Sequence, residues 1–209
     1  MDILNPRIEE YLQRISPAYH SILEEMETLA TILNFPIVGP LVGRSLYILT
    51  RLSNPRRILE LGSGYGYSAF WFALATGPET KIICTENSQE NIDRAQDYLG
   101  RAGLWNKIEY HRGDALQTLE KQSGEFDILF MDIDKHQYPD GFRKGFPKLK
   151  KGGLFITDNV LWSGRIVESN QDASTHAIAQ YNEMIFNTPG AFSTILPIRD
   201  GVAVTLKES

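Results

Sequence analysis

Two short acidic segments carry the side chains best suited to chemistry. Asp132, Asp134 and Lys135 lie in MDIDKHQY (131–138), and Asp158 and Asn159 open DNVLWSG (158–164). Asp132, Asp158 and Asn159 offer hard oxygen donors of the kind that bind Mg²⁺, Mn²⁺ or Ca²⁺. Three protein oxygens leave positions open for water and a chelating substrate. Either segment alone reads as turn chemistry, with Asp158-Asn159 starting a turn and Asp132 capping a helix. Lys135 follows Asp132 by three residues. Most lysines are solvated surface charges, but beside a divalent cation the neutral amine is favoured and can accept a proton.

A third segment, ELGSGYGYS (60–68), joins an apolar run to a helical one. Glycines let the backbone turn sharply and approach a ligand closely, and a helix start adds unpaired N–H groups. The dinucleotide fingerprint G-x-G-x-x-G fails here, because its third glycine position holds Tyr67. The spacing is G-x-G-x-G, with Glu60 just before it. A carboxylate there repels a pyrophosphate but suits an ammonium and a sulfonium, which together describe S-adenosylmethionine. Glu86 ends the next apolar run, where a carboxylate can accept both ribose hydroxyls.

These residues need a scaffold that gathers them. From Arg57 onward, short apolar runs alternate with amphipathic segments. Strand candidates are 57–61, 81–86, 107–111, 126–133 and 153–157, and helix candidates lie near 67–76, 88–101, 114–121 and 137–149. That alternation predicts a parallel sheet with helices on both faces and all strand C-termini on one edge, where ligands bind. A further helix near 174–187 and strands at 191–197 and 202–207 predict an antiparallel pair, with Asp200-Gly201 suited to a tight hairpin. Before Arg57 the chain reads as helices. Asn5 and Pro6 start one, with Ile8, Tyr11, Leu12 and Ile15 on one stripe. Ile22, Leu23, Met26, Leu29, Ala30 and Leu33 mark a second, and 41–52 a third.

The 209 residues fit one domain, which at this length buries about 70% of its open surface without disulfide or metal support. The chain is 42% hydrophobic and 22% charged, which excludes wholesale disorder. A net charge of −5 disfavours a general nucleic-acid or anionic-membrane binder. Cys84, the single cysteine, reads as a small core residue in a reducing compartment. The start MDILNPRIEEY lacks an apolar leader, and no apolar run approaches a membrane span. The expectation is a soluble, cytoplasmic protein. Lys144, Lys148, Lys150 and Lys151 form a basic run that reads as a solvated helix end, with contact to RNA or a phosphorylated substrate as the alternative. Phe70, Trp71 and Phe72 read as core, and Met26 as core or an oligomer contact.

With ELGSGYGYS, Glu86, GDA (113–115), MDIDKHQY, DNVLWSG and IRDGV (198–202) on view, the chain resembles the class I S-adenosylmethionine-dependent, cation-dependent O-methyltransferases, which include the caffeoyl-CoA and catechol enzymes. The resemblance covers roughly residues 35–207. It implies a Rossmann-like fold of seven mostly parallel strands with an antiparallel edge hairpin. Residues 1–52 would be a helical extension, lid and interface, and 53–209 the cofactor-binding and catalytic core. It implies that Glu60, Gly62, Ser63 and Ser68 line the methionine end of the cofactor, with Val38 among its other contacts. Glu86 would hold the ribose, Ala115 would meet the adenine through its backbone, Asp134 would contact the cofactor near its amino group, and Asp132 is a further cofactor contact. Asp132, Asp158 and Asn159 match the metal ligands, Lys135 the general base, and Trp162 and Ser163 the acceptor site. Val38 stands where the family often has Thr or Ser, and Ser163 where the plant enzymes have Asn.

The activity so implied is methyl transfer to a catechol or caffeoyl-like phenolic by a homodimer. The nearest alternative keeps the chemistry but takes 5-hydroxyuridine in tRNA. An NAD-dependent oxidoreductase and a non-catalytic cofactor-binding module are the alternatives of another class.

Overall fold

Residues 3–169 and 172–209 are described by a computed structural model; the first two residues of the N-terminal reading fall outside them. Apolar runs form strands where both faces can be buried. In β1 (Arg57–Leu61), Ile58, Leu59 and Leu61 are fully buried. Their side chains alternate, so Ile58 enters one core and Leu59 and Leu61 the other. The remaining strands are β2 (Lys81–Glu86), β3 (Ile108–Arg112), β4 (Phe126–Met131), β5 (Leu149–Thr157), β6 (Ala191–Leu196) and β7 (Val202–Lys207). They form one sheet of seven in the order β3-β2-β1-β4-β5-β7-β6. β1 to β5 are parallel, and β7 runs antiparallel to both β5 and β6. This is the Rossmann-like architecture expected, with the antiparallel pair at the edge.

Helices α1 (Pro6–Ile15), α2 (Ser21–Leu33) and α3 (Gly39–Ser53) precede the sheet. Helices α4 (Tyr67–Ala75), α5 (Gln89–Arg101), α6 (Ala115–Lys121), α7 (Tyr138–Gly145) and α8 (Ala173–Asn187) pack around it. One core holds Met26, Phe70, Trp71, Phe72 and Cys84, and the other Tyr138, Phe142, Phe155 and Tyr181. Asn5 caps α1 by accepting from the Arg7 N–H at 3.0 Å, as its position predicts. No described helix is long and apolar enough to cross a membrane.

Four expectations are corrected. The 137–149 helix ends at Gly145, because Pro147 sits in a 3₁₀ turn (Phe146–Lys148) and Leu149 joins β5. β5 therefore begins four residues earlier than expected, with an irregular register between Phe126 and Ile128 of β4. The strand expected at 126–133 ends at Met131, so Asp132 is the first residue past it. The β6–β7 connection spans 197–201, one residue longer than expected, with Gly201 N–H donating to Ile198 O at 2.9 Å and Arg199 in left-handed backbone at φ 50°. On α1, Ile8, Tyr11 and Ile15 are about half exposed.

What matters for chemistry is the edge where β1, β2, β4 and β5 end. β1 lies between β2 and β4, so the chain crosses over in opposite directions from it, and a crevice opens there. Met131 pairs with Thr157, so the next residues, Asp132 and Asp158, leave neighbouring strands side by side. Backbone bonds fix both: Asp132 N–H donates to Leu61 O at 2.9 Å, and Asp158 N–H to Met131 O at 3.2 Å.

Candidate active site

A cleft of about 650 Å³ lies at this edge. Val38, Gly62, Ser63, Ser68, Glu86 and Ala115 line one part of it. Asp132, Asp134, Lys135, Asp158, Asn159 and Trp162 line the rest. Ser163 faces an adjoining cleft of about 810 Å³, which shares Asp158 and Asn159 with the first. Residues from both acidic segments and the glycine loop thus converge.

The loop after β1 is held from below. Gly62, at φ 82°, lies against the Asp132 backbone, and its N–H donates to Thr85 Oγ1 at 2.9 Å. Glu60 does not line the cleft, contrary to expectation. Its side chain is fully buried on the Ile58 side of β1, where Ser68 Oγ, Ser63 Oγ (2.7 Å) and Cys84 Sγ (3.3 Å) donate to it. Burial pushes its carboxyl up to about 7, against the pull of those hydrogen bonds. Glu60 therefore acts on the cleft through Ser63 and Ser68. Tyr110, which the sequence did not single out, meets Ser63 Oγ at 3.0 Å from β3. Glu86 accepts from the Ser88 N–H at 2.7 Å. Asp114 caps α6 by accepting from Gln117 N–H at 2.8 Å, which sets Ala115 at the helix start. Burial and the nearby Glu60 raise the Cys84 thiol well above its usual range, so it is no nucleophile.

The acidic end is organised around Lys135. Its Nζ donates to Asp132 Oδ1 at 2.8 Å, Asn159 Oδ1 at 2.8 Å and Tyr138 Oη at 2.7 Å. Tyr138, fully buried, donates in turn to Asp158 O at 2.8 Å. Asn159 turns its amide inward from left-handed backbone at φ 59°. Asp158 is 4% exposed, and its Oδ1 is buried with no hydrogen-bond partner. Burial, then the charge of Asp132, push its carboxyl up to about 8. A buried carboxylate oxygen without a donor, facing a second carboxylate, is costly unless a cation sits nearby. The oxygens of Asp132, Asp158 and Asn159 therefore fit a hard cation. Among the described residues no three His, Cys, Asp or Glu side chains form a metal cluster, and this set has two carboxylates plus one amide.

Trp162 adds an aromatic wall, with its ring centroid 5.7 Å from Lys135 Nζ. Tyr138 escaped sequence reasoning because it sat inside a helix candidate, although its i+3 spacing from Lys135 was a usable signal. Asp200 escaped as a turn residue. Its carboxylate accepts from the Ser163 N–H and its carbonyl from Leu161 N–H at 2.9 Å, which anchors the loop that carries Trp162.

A family model described as O-methyltransferase matches residues 13–208. The chain belongs to the O-methyltransferase family. The catechol O-methyltransferase of Niastella koreensis is 30% identical over 179 residues, 81% of each chain. Caffeoyl-CoA O-methyltransferase 2 of Eucalyptus globulus is 29% identical over 80% of this chain and 73% of its own. Among solved structures, the Bacillus cereus O-methyltransferase in complex with SAH matches with a TM-score of 0.86 and 27% identity, over 96% of this chain and 97% of that one. As an S-adenosylmethionine-dependent O-methyltransferase, the protein is neither a nicotinamide oxidoreductase nor a non-catalytic module. The departure from G-x-G-x-x-G at Tyr67 is the residue-level signal that separates these classes.

Proposed function

We propose that this O-methyltransferase moves the methyl group of S-adenosylmethionine to one hydroxyl of a catechol or caffeoyl-like phenolic. In this reading Asp132, Asp158 and Asn159 hold a divalent cation, Mg²⁺ first and Mn²⁺ or Ca²⁺ next. The observation that carries it is the pairing of the Asp132 and Asn159 side chains with one positive charge, next to an Asp158 oxygen that is buried and unpartnered, in the cleft that the glycine loop also lines.

The chemistry then divides among the chain's own groups. Gly62, Ser63 and Ser68 border the donor's methionine end, Glu86 its ribose and Ala115 its adenine, while Asp134 and Val38 close the cavity around it. A phenol has a pKa near 10, so its ionisation at pH 7 costs about 4 kcal/mol. A divalent cation supplies charge that favours the ionised hydroxyl when it is bound. With a cation nearby to favour its neutral amine, Lys135 would accept the proton, and Trp162 and Ser163 would flank the acceptor. Holding carbon and oxygen in line lowers the barrier by roughly 7–11 kcal/mol.

The basic run favours a small acceptor over tRNA, because much of it is already engaged. Lys144 pairs with Glu120 and Lys150 with Asp127, each at 2.7 Å, and Lys148 donates to the Glu120 and Gln122 carbonyls. The exposed stripe on α1 suits the lid and homodimer contact, and the buried free Cys84 suits the cytoplasm. Methyl transfer to catechol, caffeoyl derivatives and tRNA, followed by mass spectrometry with and without EDTA, tests the reading. Catechol-type acceptors should be methylated, EDTA should abolish the product, and Mg²⁺ or Mn²⁺ should restore it. Unchanged turnover in chelator removes the cation from the mechanism.

A further inference from the structure

We infer that the Lys135 ammonium is a built-in counter-cation of the metal-ligand oxygens, and that a divalent ion must displace it to enter. The inference rests on the metal reading of Asp132, Asp158 and Asn159 given above. Nζ lies 2.8 Å from both Asp132 Oδ1 and Asn159 Oδ1. Asn159 has one side-chain oxygen, so an ion that ligates it would sit beside the ammonium that the same atom now accepts from. Hard divalent ions sit about 2.0–2.6 Å from their oxygens, and two cations so near one another repel strongly.

The displaced amine has a place to go. Tyr138 Oη already accepts from it at 2.7 Å, and the Tyr138 and Trp162 ring centroids lie 4.9 and 5.7 Å away. Tyr138 is fully buried and anchored on Asp158 O, so it is a fixed tether. Moving from the carboxylate toward this aromatic wall carries the amine toward the acceptor side of the cleft. The same ammonium keeps the ligand oxygens gathered before the ion arrives. Lys135 is thus a positioning residue for the ion as well as a proton acceptor.

The test is Mn²⁺ binding to the full chain, read by electron paramagnetic resonance rather than by turnover. Lys135→Met removes the competing charge, so it should bind Mn²⁺ about tenfold more tightly than the unaltered protein. Equal or weaker binding by K135M overturns the inference and leaves the metal reading intact. No Mn²⁺ bound by either protein overturns both. A second measurement needs no substitution in the protein under study: the Lys135 side-chain carbon resonance should shift in step with Mg²⁺ saturation. A resonance that stays put while Mg²⁺ binds overturns the inference.

Discussion

Asp158→Ala should lower methyl transfer by about 10²–10³-fold while S-adenosylmethionine still binds, as calorimetric titration would read. The magnitude follows because charge stabilisation by a bound cation is worth several kcal/mol, and each 1.36 kcal/mol is tenfold in rate. The unusual part is stability. Asp158 Oδ1 is buried without a donor, and burial and Asp132 push the carboxyl up to about 8. A carboxyl raised in the native state retains its proton while the unfolded chain loses it, so its contribution to stability falls as pH rises from about 4 toward 8. In chelator, Asp158→Ala should therefore melt no lower than the unaltered protein, with its relative advantage growing across that window. A variant with near-normal turnover would remove Asp158 from the ligand set. A variant that unfolds would make it a structural residue instead.

Gly62→Ala should be the most damaging change of a single methyl group. Gly62 has φ 82°, and an added Cβ would lie 2.2 Å from the Asp132 carbonyl oxygen. That oxygen is backbone, so it cannot swing aside. Left-handed strain and the clash together should cost about 3–5 kcal/mol, readable in urea unfolding. The chemical consequence is broader than a damaged cofactor loop. Asp132 N–H donates to Leu61 O beside Gly62, so forcing the loop away moves the ligand segment too. Donor binding and Mn²⁺ binding should therefore weaken together. Loss of donor binding with undisturbed Mn²⁺ affinity would show that the two halves of the site are independent.

Much of this architecture was legible because strands and helices alternate after Arg57. That pattern alone puts Asp132 and Asp158 at the ends of strands on one edge, and the observed Met131–Thr157 pairing makes them neighbours. The glycine loop was legible because apolar RILEL runs straight into it. Glu60 was misplaced for a physical reason. Side chains alternate along β1, and Glu60 shares the Ile58 face, which goes under the loop rather than into the cleft. Its acidity suggested a ligand contact, whereas its position makes it an acceptor for Ser63 and Ser68. The α1 stripe of Ile8, Tyr11 and Ile15 has helical spacing, but spacing does not say what will cover it. The role of Tyr138 depends on a bond to the carbonyl of residue 158, a contact across 20 positions that no local pattern carries.

In the proposed reading, side chains from the ends of β4 and β5 share one cation in the cleft that takes the methyl donor. Crystals of the protein soaked in Mn²⁺ and measured at the manganese absorption edge test it most directly. One anomalous peak should appear within about 2.0–2.6 Å of oxygens from Asp132, Asp158 and Asn159. A fully soaked crystal in which the manganese lies elsewhere, with Lys135 still bonded to Asp132 and Asn159, would contradict the account.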